Sequence, residues 1–182
     1  VPESLLTIIL DDKSYDFPLE TYEFKTNIPL DTKIKSGNHT VKIDVKDSYG
    51  NNAGTSLYLE IIPKPVDLKN LINKLEFLPE DTVEITSALY DQAGDKIQNN
   101  AQIKIYDPKE EYVTQGYGKL IYVLPSYASP GTWVVRTSDD LFSIISKFVV
   151  KEIEQADISI EDSTLTIKNT GNVNYQDDIT IN

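Results

Sequence analysis

The sequence predicts an all-β chain: tandem immunoglobulin-like β-sandwiches with a short linker helix between them. Three observations carry this. Apolar and polar residues alternate with period two along most of the chain, the pattern of a strand with one buried and one solvated face. Polar clusters rich in glycine, asparagine, aspartate and proline separate the alternating runs. The 182 residues, 40% hydrophobic and 25% charged, suffice for two or three small folded modules.

The elements follow in order. Tyr22 and Phe24 open the series. Val41, Ile43 and Val45 then alternate with Lys42, Asp44 and Lys46, and Leu57, Leu59 and Ile61 repeat the pattern. Val83/Ile85, Ile103/Ile105, Leu120/Tyr122/Leu124 and Trp133/Val135 form the next group, with Trp133 expected in the core. Ile158/Ile160, Leu165/Ile167 and Ile179/Ile181 form the last. Turns are expected at Ser36-Gly37-Asn38, Tyr49-Gly50-Asn51, Ala93-Gly94-Asp95, Asp107-Pro108, Ser129-Pro130-Gly131 and Thr170-Gly171-Asn172.

One segment breaks the alternation. Leu68, Leu71, Ile72 and Leu75 fall at i, i+3, i+4 and i+7, one face of a helix, with Asp67 as its cap. So short a helix does not stand alone in water and reads as a connector packed on a neighbouring sandwich. Pro63-Lys64-Pro65 before it has the stiffness of a joint. The expected organisation is therefore an Ig-like sandwich at 1–63, a linker with the helix at 64–75, a macroglobulin- or Ig-like sandwich at 76–150, and the start of a third, truncated sandwich at 151–182.

Charge and composition narrow the function classes. The formal net charge is -12, which disfavours nucleic acid and anionic membranes as partners, since both need a positive footprint. Arg136 is the only arginine, so there is no arginine cluster for phosphate. Without cysteine there are no disulfides, thiolate metal sites or cysteine nucleophiles. No run reaches the ~18 apolar residues of a membrane span. The chain starts at Val1 with no visible leader, as expected for a processed chain or an excised piece.

Three stretches resemble known families. GNHTVKIDVKDSYGNNAGTSLYLEI, residues 37–61, resembles the last hairpin of bacterial and archaeal immunoglobulin-like surface domains. LEFLPEDTVEITSALYDQAGDKIQNNAQIKIYDP followed by LPSYASPGTWVV looks like the macroglobulin-type sandwich, with Asp91-Gln92-Ala93-Gly94 and Pro130-Gly131-Thr132-Trp133 in the places of its two turn motifs. That family's thioester needs a cysteine and is not carried over. TLTIKNTGNVNYQDDITI, residues 164–181, is similar to the start of CARDB-like adhesion and archaeal envelope sandwiches. Together the resemblances imply an exported, S-layer-like surface protein of an archaeon or bacterium.

The chemistry-bearing residues point away from catalysis. His39 is the only histidine and sits in an expected hairpin turn, so neither a Ser-His-Asp triad nor a histidine-rich metal site can be assembled. The acidic pairs Asp11-Asp12, Glu110-Glu111, Asp139-Asp140 and Asp177-Asp178 sit at turns, whereas a glycosidase needs two carboxylates facing across a cleft. No enzyme and no cofactor are expected. Calcium is the one candidate metal, with Asp44, Asp47 and Asn51 as ligands near one end of the first module. The competing reading is that Asp47 and Asn51 bond only their own turn. Asn38 of Asn38-His39-Thr40 is a candidate N-glycosylation acceptor, or simply a turn residue. Tyr112, Tyr117, Tyr122 and Tyr127 cluster in one stretch and either pack a sandwich edge or line a carbohydrate or partner surface.

The expected function is thus a non-catalytic, extracellular structural or spacer segment of a cell-envelope protein: a surface layer, stalk or adhesin. Its expected partners are neighbouring surface-protein subunits, other envelope proteins, or glycans, with no nucleic acid and no membrane span in the chain. The alternative is an accessory carbohydrate- or protein-binding module of a secreted hydrolase or protease.

Overall fold

A computed structural model describes residues 4–20, 23–162 and 164–176. All regular structure among them is β, as the alternation predicts. Contacts divide the chain into two units, residues 1–66 with 90–97, and residues 67–89 with 98–182.

The first unit is built on strands β1 (Ser4–Leu10), β2 (Lys13–Leu19), β3 (Gly37–Lys46) and β4 (Asn52–Ile61), in the order β2–β1–β3–β4. All neighbours are antiparallel. Leu6, Ile8 and Leu10 of β1 are buried. Leu6 lies between Phe17 and Val45, Ile8 between Tyr15 and Ile43. Because side chains alternate along each strand, one face of the sheet is mainly apolar, interrupted by Lys13 beside Leu10 and Thr55 beside Ile43. The other face carries residues such as Thr7 and Asp44, which are direct partners.

Two expectations fail in this unit. Phe24 lies in a segment without strand structure and packs on Phe17 at 5.3 Å between ring centroids; Tyr22 is outside the described residues. Pro29 downstream cannot donate to a ladder, and Phe24 finds its apolar partner without one. His39 is not in a turn. Gly37, at φ 114°, opens β3, and Asn38 and His39 already pair with Glu60 and Leu59.

The second unit uses β5 (Pro65–Ile72), β6 (Glu76–Phe77), β7 (Thr82–Asp91), β9 (Gln102–Tyr106), β10 (Tyr112–Tyr117), β11 (Lys119–Val123), β12 (Gly131–Ser138) and β13 (Ser143–Val150). The short β8 (Lys96–Ile97) pairs with β7. The end of β7, β8 and the turn between them are assigned to the first unit, as are the first two residues of β5. Hydrogen bonding runs β5–β7–β11–β10–β9–β12–β13–β6, with β6 parallel to β13. β10 and β11 meet only at Tyr117 and Lys119, around Gly118 at φ 66°. The sheet thus turns a corner there and closes over one core. Val83 and Ile85 of β7 and Leu120 of β11 share that core with Ile103, Ile105, Trp133, Val135, Phe148 and Val150. Trp133 is buried as expected, stacked on Phe148 at 5.8 Å, and its Nε1 donates to the Ser129 carbonyl at 2.9 Å.

The expected linker helix is absent: residues 65–72 form β5. Leu68 and Ile72 share one face whether the period is two or 3.6. The discriminating residues are Leu71 and Leu75, which are exposed at 53% and 72%, whereas Leu68 is 3% exposed. Pro63 and Pro65 hold the entering backbone extended, and Asn73 completes the pairing by donating its N–H to the Glu84 carbonyl at 3.1 Å.

Past Val150 the chain forms a hairpin of β14 (Ala156–Glu161) and β15 (Thr164–Asn169). Asn172 ties its base: the Ile153 N–H donates to its side-chain oxygen at 2.6 Å, and its Nδ2 donates to the Ala128 and Lys151 carbonyls, each at 2.9 Å. Ile179 and Ile181, expected as a further strand, lie outside the described residues.

Candidate functional site

Three hairpin turns share one construction. In Asp47–Asn51 the Asp47 Oδ1 accepts the N–H bonds of Tyr49 and Asn51. In Asp91–Asp95 the Asp91 Oδ1 accepts those of Ala93 and Asp95, and in Asp107–Glu111 the Asp107 Oδ1 accepts those of Lys109 and Glu111. The fourth position of each turn is left-handed: Gly50 at φ 88°, Gly94 at 83° and Glu110 at 63°. An aspartate side chain mimics a backbone carbonyl there, and glycine takes the left-handed position at no steric cost.

The candidate calcium ligands fall on the first of these turns. Asn51 Nδ2 also donates to Asp47 Oδ2 at 2.8 Å. These bonds, the Asn51 amide first, hold the Asp47 carboxyl below its ordinary range. Asp44 is exposed on β3, opposite Thr7 and Gly54, and among the described residues no hydrogen bond joins it to the other two. Among the described residues there is also no group of three His, Cys, Asp or Glu placed to hold a metal. Asn38 is exposed at the start of β3.

Asp91 does more than close its turn. It is buried, and its Oδ2 accepts the Ser36 hydroxyl at 2.5 Å. Gln92 Nε2 donates to the Ile34 carbonyl at 3.0 Å and to Ser36 Oγ at 3.1 Å, while Gln92 Oε1 accepts the Lys64 N–H at 2.7 Å. The Ser36 hydroxyl above all holds the Asp91 carboxyl below the usual range. The motif predicts the turn, but nothing local in the sequence signals a partner 55 positions away.

His39 is clamped. Nδ1 meets Asp11 Oδ2 at 2.5 Å and Nε2 meets the Lys35 carbonyl at 2.9 Å. Both partners are acceptors, so only the imidazolium satisfies both bonds. The pKa of His39 is raised, first by Asp11 and then by the Lys35 carbonyl. The acidic pairs are dispersed. Asp11-Asp12 joins β1 to β2, Glu110-Glu111 ends the Asp107 turn, and Asp139 accepts the Leu141 and Phe142 N–H bonds. Asp177-Asp178 lies outside the described residues.

The tyrosine stretch divides. Tyr122 is partly buried against the core, its ring 6.4 Å from that of Trp133, and burial raises its pKa. Tyr127 is exposed. Tyr112 and Tyr117, at 56% and 55% exposure, stand on the outer face of β10. There Tyr112 meets Tyr106 of β9 edge-on at 6.2 Å, and Arg136 of β12 lies over the Tyr106 ring at 4.7 Å. Gln102 Nε2 donates to Gln115 Oε1 and to the Tyr117 hydroxyl, each at 3.2 Å. Clustering along the sequence picks out Tyr112 and Tyr117 but not Tyr106, Gln102, Gln115 and Arg136. Their period-two positions relative to Ile103, Ile105 and Val135 carry the signal that they face outward.

No protein-family model matches the chain, and no curated protein sequence matches it. Among solved structures it is similar to the amphioxus IgVJ-C2 molecule, at 12% identity and a TM-score of 0.34 over 82% of this chain and 88% of that one. It is also similar to the neural ectodermal development factor IMP-L2, at 7% identity and a TM-score of 0.36 over 82% and 80%. Domains 4 and 5 of the S-layer protein SbsC align at 14% identity and a TM-score of 0.34 over 65% and 67%. Likeness at this level carries no functional argument, and the fold class rests on the strand pairing itself.

Proposed function

We propose that this chain is a non-catalytic structural segment of an extracellular envelope protein: a spacer within a surface layer, stalk or adhesin. One observation carries the reading. The aspartates Asp47, Asp91 and Asp107 close hairpin turns, and the lone histidine clamps two loops, so these polar groups serve the β scaffold. The acidic surface suits a protein that must stay soluble while exposed. Its partners in this reading are neighbouring copies or other envelope proteins. Calcium at Asp44, Asp47 and Asn51 and a glycan on Asn38 belong to the same proposal. Protease shaving and immunogold labelling of intact source cells test it. Release from and labelling of the outer surface are expected, and labelling confined to the interior overturns it. A melting shift with added calcium and the intact mass of host-purified protein decide the two modifications.

A second reading, an accessory binding module of a secreted hydrolase or protease, is favoured by the exposed tyrosine face of the second unit. A catalytic domain in the same polypeptide would support it.

A further inference from the structure

We infer that the outer face of β10, β9 and β12 binds an acidic polysaccharide, with sugar rings on Tyr112 and Tyr117 and a uronate carboxylate at Arg136 and Lys104. This names a ligand class for the binding reading above, and it leaves the location of the protein open.

The chain carries 29 acidic against 17 basic side chains. Yet on this face Lys104 sits directly opposite Arg136. Lys147 of β13 is two positions from Ile145, the partner of Arg136 on the other side. Among the described residues none of these three cations is ion-paired with a carboxylate; the lysines that are paired lie elsewhere. Like charges directly opposite one another destabilise a sheet, and an anion between them removes that penalty.

The Arg136 guanidinium lies on Tyr106, which Tyr112 braces edge-on. A guanidinium held over a ring keeps its planar N–H fork for a carboxylate, which it takes in a bidentate pair. Tyr112 and Tyr117 leave about half of their surface open, which suits the apolar C–H faces of pyranose rings. Gln102, bonded to Gln115 and Tyr117, orders amide and hydroxyl groups beside them for sugar hydroxyls. Asp139 and Asp140, just past β12, lie at the Tyr117 end, and Asp107, Glu110 and Glu111 form the turn at the Tyr112 end, so the carboxylate belongs in the middle of the face, where Lys104 is flanked by Gln115 and Arg136. Three cations on so acidic a chain make a poor footprint for nucleic acid. An acidic polypeptide would satisfy the cations but offers no ring faces to the tyrosines.

The test is calorimetric titration of the full 182-residue chain with polygalacturonate oligomers, and with neutral glucan oligomers and polyglutamate as comparisons. Polygalacturonate is expected to bind, more weakly as salt is added, and the other two are not. Arg136→Gln and Tyr117→Ala are each expected to weaken binding by about tenfold or more at unchanged melting temperature. Should Arg136→Gln fail to fold, Lys104→Gln carries the same expectation. Absence of binding to polygalacturonate overturns the inference, as does undiminished binding by the variants. Equal binding of polyglutamate overturns it in favour of an acidic polypeptide. None of these outcomes bears on the surface labelling that tests the structural reading.

Discussion

Asp47, Asp91 and Asp107 each spend one carboxylate oxygen on two backbone N–H groups of their own turn. The turns differ at the left-handed position, where two have glycine and the third has Glu110. A side chain there costs about 1–2 kcal/mol in local strain, and glycine's extra freedom in the unfolded chain offsets part of it. Glu110→Gly is therefore expected to stabilise the second unit by roughly 0.5–1 kcal/mol, read from the urea midpoint. His39 gives the chain a pH dependence of known sign. Its pKa is raised in the folded state by Asp11 and the Lys35 carbonyl, so the protonated ring favours folding. That contribution is fully present below the unfolded value of 6.5 and is lost as pH rises through the higher folded value. Urea midpoints of the first unit should hold steady below about pH 6.5 and fall as pH rises above it, and His39→Gln should flatten that slope.

Among the elements, the β14–β15 hairpin is the one held most sparsely. Ile158, Ile160, Leu165 and Ile167 are all exposed, so burial does not anchor it. Its attachment runs through Asn172 and through Gly171, where a Cβ would run into the Ile153 carbonyl. Asn172→Ala removes the side-chain bonds to Ile153, Ala128 and Lys151 together. Faster amide exchange is expected in residues 153–169, with protection of β12 and β13 unchanged. Strand β5 illustrates the opposite case. Its helical apolar spacing yields to an edge position beside β7, because Leu68 alone is fully buried there and two prolines precede it.

At the scale of the whole molecule, each unit has its own buried residues. Leu6, Ile8 and Leu10 serve the first, and the cluster around Trp133, Phe148 and Phe77 serves the second. Trp133→Ala leaves a cavity in the second core at a cost of about 3–5 kcal/mol. Scanning calorimetry is expected to resolve two transitions, of which this substitution lowers only the one that belongs to the second unit. A shift of both by the same amount would mean that the units unfold together.

By itself the sequence determined the all-β class, the strands at Val41–Val45, Ile103–Ile105 and Trp133–Val135, the burial of Trp133 and the aspartate–glycine turns. Each of these is written in spacing along a few residues, where alternation sets the faces and one side chain closes a turn. Only the tertiary structure decided the rest. Leu68 and Ile72 satisfy two periodicities, and the neighbouring strand chose between them. The Ser36–Asp91 bond, the clamp on His39 and the meeting of Tyr106, Tyr112 and Arg136 join residues that strand pairing and loop packing bring together. Contacts at such sequence separations leave no periodic trace, so the charged and aromatic outer face could be located only once the register was known.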